Sequence, residues 1–413
     1  MTTPDTPAKK APPVILHLDE TGYGPEGTHT RREWRAECLE YFEAGAEAFL
    51  AWQKSWQSIA EQNKLKANFE VQRSFDDGST EELSHVASKS HCLDFTGHTF
   101  DFKDGDDYQD YKDYQFLSRV YFKAATFTGY ADFSVATFTD YADFRKTTFM
   151  FDAYFRGTTF ASEANFDETT FTSDADFNET TFTSRANFNK SNFIGHANFS
   201  KITFKGYAEF NGVTFTDAEF TRGTFTGYAK FSEATFTGYA EFSNATFKDR
   251  AMFHKTIFTG DAWFSETIFT GLVKFSKTTF AGQANFSEVI FRDYAGFYET
   301  TFTGNVSFDV VFFEDSTSFV KTKFHSQINF RKANFKDAAD FENAEFANVG
   351  HFEGATFNAS TSKIPSFRGV DLGGTSSLEF SDDTYFTKAD FDDEAIKNIT
   401  FLKHLSEQHG QID

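Results

Sequence analysis

Cysteine is nearly absent from these 413 residues: Cys38 and Cys92 are the only two, too few for a disulfide framework. Proline is scarce as well, and residues 1–27 hold most of the six. That stretch also lacks hydrophobic periodicity and is expected to be a disordered leader. No apolar run approaches the roughly eighteen residues of a membrane-spanning helix. The first residues, MTTPDTPAKKAPP, do not read as a signal segment, so a reducing, cytoplasmic setting is expected. Cations are outnumbered, with 39 Lys and Arg against 61 Asp and Glu, a net charge of −22. Direct binding to nucleic acid is therefore not expected. The acid is spread thinly: residues 122–357 carry 21 basic and 29 acidic groups. There is no Gly-rich phosphate loop, nucleophile elbow or His-Glu metalloprotease motif, and the histidines are scattered. No catalytic, cofactor or metal site is expected.

What is present is phenylalanine, 59 residues of it. From Phe122 to Phe357 it recurs at alternating steps of five and six, and all 44 positions of that ladder are Phe. One step is short, Phe215 to Phe220. A helix is a poor reading, because a five-residue step turns about 140° and forms no stripe; the Thr, Ser and Gly fillers are also weak helix formers. Short strands fit better. In Ala131-Asp132-Phe133-Ser134 the small and large apolar residues alternate with polar ones, and in Thr137-Phe138-Thr139 the ring lies between two outward Thr. Turn formers such as Gly129, Asp140, Ser162 and Gly227 stand two residues after the second Phe of nearly every repeat. Strands this short cannot build useful hairpins, but they can wind into a solenoid, each pairing with the strand one coil later.

Ala-Asp-Phe-Ser-Val, Ala-Asn-Phe-Asp-Glu and Ala-Glu-Phe-Ser-Asn resemble the pentapeptide repeat in its Phe-rich, eleven-residue form. That resemblance implies an all-β solenoid, a right-handed quadrilateral β-helix of about 22 residues per coil. The sixth residue of every second half-repeat is expected to bulge two opposite corners.

The chain divides accordingly into a leader (1–27), a helical cap with an irregular first coil (28–121), the repeat solenoid (122–357), and a last part-coil with a helical cap (358–413). Trp34, Cys38, Phe42, Gly45, Phe49, Trp52, Trp56 and Ile59 recur at helical steps, so one amphipathic helix is expected near residues 28–63. It is read either as a cap over exposed strand edge and Phe rings or, through Trp34, Trp52 and Trp56, as a partner-binding face. A short helix over Asp392–His409 is expected to cap the other end, and the resemblance allows a homodimer through a terminal helix. His85, His91, Cys92 and His98 match no zinc spacing, and the acid-rich stretch from Asp104 lacks the closing glutamate of a calcium loop; both are read as structural or solvated.

Residues one coil apart stack into columns. One corner column includes Tyr141, Arg185, Tyr207, Tyr228, Arg250 and Tyr294, residue types favoured in binding hot spots. Asp132, Asp176, Glu219 and Glu241 align as an acidic stripe. The expected function is a non-enzymatic scaffold with a rigid surface for a protein partner. The alternative is a DNA-mimicking inhibitor or protector of a type II topoisomerase such as DNA gyrase, a role taken from relatives. A remoter one is ice binding by outward Thr pairs such as Thr126/Thr128 and Thr137/Thr139.

Overall fold

The computed structural model describes residues 18–19, 21–24, 27–64, 92–101, 108–358, 365–372, 377–381 and 384–386. From Cys92 onward the chain is a parallel β-solenoid. Thr137–Phe138 pairs with Thr159–Phe160, and Ala142–Asp143 with Ala164–Asn165, each one coil of 22 residues later. Every coil has four faces: a first Thr face (Thr126–Phe127), a first Ala face (Tyr130–Asp132), a second Thr face (Thr137–Phe138) and a second Ala face (Ala142–Asp143). The second Thr and second Ala faces are sheets of 13 and 12 strands. The other two merge into one sheet, because Asn192–Asn198 and Thr214–Glu219 run across the corner between them.

The five- and six-residue steps make two kinds of corner. In the five-residue step the second residue after Phe is left-handed, as in Val135 (φ +60°), Lys146 (+58°) and Val310 (+55°), and the third returns its N–H to the Phe carbonyl, Ala136 to Phe133. The six-residue steps form two broad, opposite corners. At the short step the pairing runs Phe193↔Phe215 but Ala197↔Ala218, so the deletion is absorbed at one broad corner. A β-branched residue in the left-handed region costs about 1–2 kcal/mol, and Val310 is 46% exposed, so the packing lost on its removal is small beside a core side chain's. Val310→Gly is accordingly expected to stabilise by about 0.5–1 kcal/mol, after the extra chain entropy of Gly is deducted. A lower denaturation midpoint for that variant would contradict the turn geometry.

The interior is a phenylalanine crystal in miniature. Phe231 lies parallel to Phe210 (4.9 Å, 1°) and Phe253 (5.0 Å, 3°) along the rod. It meets Phe220 and Phe242 of the opposite face edge-on at 5.5 Å. Both arrangements suit the ring quadrupole. Between the rings sit buried Ala and, before the Thr-face Phe, buried Thr. Thr169 Oγ1 donates to the Phe144 carbonyl and Thr267 Oγ1 to Phe242 (2.6 and 2.8 Å), so these hydroxyls are satisfied inside the core.

At the N-terminal end Thr21–Tyr23 pairs antiparallel with His29–Thr30, inside and just beyond the span expected as leader. The single expected helix is two: α1, Arg31–Glu43, and α2, Ala46–Lys64. Gly45, counted above as part of one apolar stripe, has φ +100° and breaks the helix. Thr30 and Glu33 form a reciprocal capping box on α1. Phe42 stacks on Tyr111 at 4.6 Å and meets Phe95 at a tilt, at 4.8 Å. The fully buried Gln53 completes the sheet edge: its Nε2 donates to Gln115 O and its Oε1 accepts from Leu117 N, both 2.8 Å. The helix pair is a lid that replaces a missing coil. The helix expected over Asp392–His409, and the dimer option resting on it, lie outside the described residues, as do His85, His91 and Asp104. Among the described residues no helix is long and apolar enough to cross a membrane.

Candidate recognition surfaces

The residues singled out from the sequence fall into three groups. The Trp group belongs to the cap. Trp34 is fully buried and donates its indole N–H to Cys92 O (2.5 Å); Trp52 is 7% exposed and donates to Glu37 Oε1 (3.0 Å). Their rings lie 5.5 Å apart, and Tyr41 stacks on Trp52 at 4.7 Å. Neither can present a partner-binding face, which corrects that reading for these two; the side chain of Trp56 lies outside the described set. Cys38 and Cys92 are both buried, and neither is in a disulfide.

The acidic stripe lies on the first Ala face, interrupted by Tyr154 and Asn198. Its carboxylates are largely engaged with the chain itself. Asp132, Asp176 and Glu241 accept from the backbone N–H two residues on, at 2.7, 2.8 and 3.0 Å. Glu219 accepts from Tyr239 Oη (3.1 Å). Burial holds the Asp176 carboxyl above its ordinary range. The broad corner beside this face carries Asp152, Asp174, Asp217 and Asp261. Asp217 pairs opposite His196 through the register shift. Each of these four caps the backbone N–H one coil later: Asp152 to Asp174, Asp174 to His196, Asp217 to Tyr239, and Asp261 to Gln283. The corner aspartates thus satisfy donors left over by the bulge. At this corner the acidic residues are turn-building devices.

The Tyr/Arg column occupies the other broad corner, and its members differ. Tyr141 is half-buried, its hydroxyl 3.4 Å from Asn165 Nδ2, and burial beside Asp143 pushes its pKa up. Arg185 bridges Glu163 (3.3 Å) and Glu209 (2.6 Å). Burial would raise the Glu209 carboxyl, but the hydrogen bonds from Arg185 and Lys230 hold it below its usual range. Tyr294 covers Gly296, where a Cβ would stand 2.8 Å from the ring. These three serve the rod. Tyr207, by contrast, is 53% exposed and meets Tyr228 edge-on at 6.3 Å. Lys230 Nζ stands 5.1 Å over the Tyr228 ring. Arg250 is exposed, and its guanidinium has no partner among the described residues.

The Thr faces are broken as arrays by Met150, Ile194, Ile257 and Lys323 on the first, and by Lys205, Lys248, Ile268 and Phe312 on the second. Several remaining hydroxyls turn back to the coil below, as Thr139 to Phe116 O and Thr172 to Phe149 O (both 3.0 Å). Among the described residues one group has metal-ligand character: His351, Glu353 and Glu379, with ligand atoms within 4.8 Å of one another. Arg331 already sits there, 2.9 Å from Glu353 Oε1 and 3.1 Å from His351 Nδ1, and its charge opposes a second cation.

A family model for pentapeptide repeats (nine copies) matches residues 115–159, 155–203, 166–214, 220–268, 264–311 and 297–345, which together span over half of the chain. No curated protein matches the sequence. The matched stretches are the coils described above, and the chain belongs to the pentapeptide-repeat family.

Proposed function

We propose that this solenoid is a non-enzymatic interaction scaffold whose recognition edge is Tyr207–Tyr228–Arg250, and that its protein partner offers an acidic segment. One observation carries the reading: in mid-rod, on a chain of net charge −22, the exposed Tyr207 with the half-buried Tyr228 and an unpartnered Arg are flanked by exposed Lys205, Lys248 and Arg292. Asp249 and Asp293 at the same corner are turned onto the N–H of Arg250 and Tyr294 (2.7 and 2.6 Å). Tyr and Arg on a rigid backbone give contact area at low entropic cost, and a basic strip selects and steers an acidic partner. DNA mimicry would draw on the opposite, acidic side, where most carboxylates already hold backbone N–H groups. The basic edge therefore carries the proposal.

A photo-crosslinking amino acid at position 207 tests it in cells. The expected adducts map to Asp- and Glu-rich segments of one partner and vanish when the same probe stands at Thr301 on the first Thr face. Adducts formed equally from both positions would overturn the assignment.

A further inference from the structure

The first Ala face changes character after Asp261. Up to that coil its outward and corner columns are mainly acidic; the outward column then runs Trp263, Asn285, Ser307, Asn329, His351 through successive paired strands. The corner column beside it becomes Gln283, Asn305 and Gln327. Together these residues line a shallow groove of about 360 Å³, floored by Ala284, Val306 and Ile328. Trp263 stands at one end and Arg331 with His351 at the other.

The amides are only half used. Asn285 Oδ1 accepts from Ser287 N and Asn329 Oδ1 from Arg331 N (both 2.9 Å), while Asn305 Oδ1 accepts from Gln327 N (3.3 Å). Their amide NH₂ groups, and the side chains of Gln283 and Gln327, have no partner among the described residues. Five primary amides on adjacent coils, about 4.8 Å apart, thus offer an uncharged ladder of donors with some acceptors. A half-buried indole sits at the head of that ladder.

We infer that this groove binds a neutral oligosaccharide. Sugar hydroxyls both donate and accept, which amides match without the desolvation cost of a charge. The apolar face of a pyranose ring fits flat on an indole. Successive sugar units can meet successive coils, with water completing the bonds. Within the groove every strand is paired on both sides, so no ligand can add to it as a further strand. A strongly anionic or cationic ligand would find no complementary column here.

The test uses the full chain with cellotetraose, maltotetraose and chitotetraose, read by saturation-transfer NMR and calorimetry. At least one is expected to bind in the micromolar to millimolar range. Trp263→Ala should weaken that binding about tenfold, and Gln327→Leu, which breaks no hydrogen bond among the described residues, should also weaken it at unchanged melting temperature. Tyr207→Ser should leave it untouched, so this outcome and that of the recognition edge are separable. Absence of signal from all three sugars overturns the inference, as does binding indifferent to Trp263→Ala or shown only by a charged glycan such as oligogalacturonate.

Discussion

Phe231→Asp is expected to abolish the cooperative fold of the central coils. Phe231 is fully buried, sandwiched between Phe210 and Phe253 and faced edge-on by Phe220 and Phe242. Removing such a ring costs about 3–5 kcal/mol. A carboxylate in its place finds no donor among aromatic rings, and either form, ionised or protonated, adds several kcal/mol more. Because each coil is held only by its neighbours, the defect interrupts coupling in both directions. Phe231→Leu keeps an apolar side chain and is expected to cost about 1–2 kcal/mol. The pair is compared by thermal melting and near-ultraviolet circular dichroism. A parent-like melt for the Asp variant would mean that this side chain does not face inward.

The ladder of Phe was legible because a solenoid turns one sequence period directly into one coil. Steps of five and six name the inward positions, the two broad corners and even the short coil at Phe215–Phe220. Three features were hidden for physical reasons. Gly45 continues the helical spacing of apolar residues, so only its φ of +100° reveals two helices. The left-handed turn positions carry Lys or Glu more often than Gly, because neighbouring coils impose the conformation; Lys146 there faces Glu168 at 3.5 Å and Glu179 faces Lys201 at 2.9 Å. The acidic residues looked like a surface charge, yet the corner aspartates cap N–H groups one coil away, a contact of 22 residues that no local motif announces.

The Tyr/Arg column was visible as a column, but its two populations were not. Arg185 and Tyr294 look like Arg250 and Tyr207 in the sequence. Only the partners, Glu209 for Arg185 and Gly296 for Tyr294, separate rod-building members from available ones.

The most direct measurement compares partner capture by the parent with capture by the triple variant Tyr207→Ser, Tyr228→Ser, Arg250→Ser. Exposed substitutions of this kind each shift stability by about 0.5 kcal/mol or less, with a further loss of about 0.5–1 kcal/mol where Lys230 leaves the Tyr228 ring. The melting temperature should therefore hardly move. Hot-spot side chains contribute roughly 2 kcal/mol or more each to binding, so capture should be abolished. The control is Asp152→Asn, Asp174→Asn, Asp261→Asn, which removes charge while keeping the backbone acceptor that Asn305 supplies naturally at the same corner. The account predicts that the control captures the same partner as the parent and the triple variant captures none. Undiminished capture by the triple variant, with loss in the control, would contradict it and move recognition to the acidic corner.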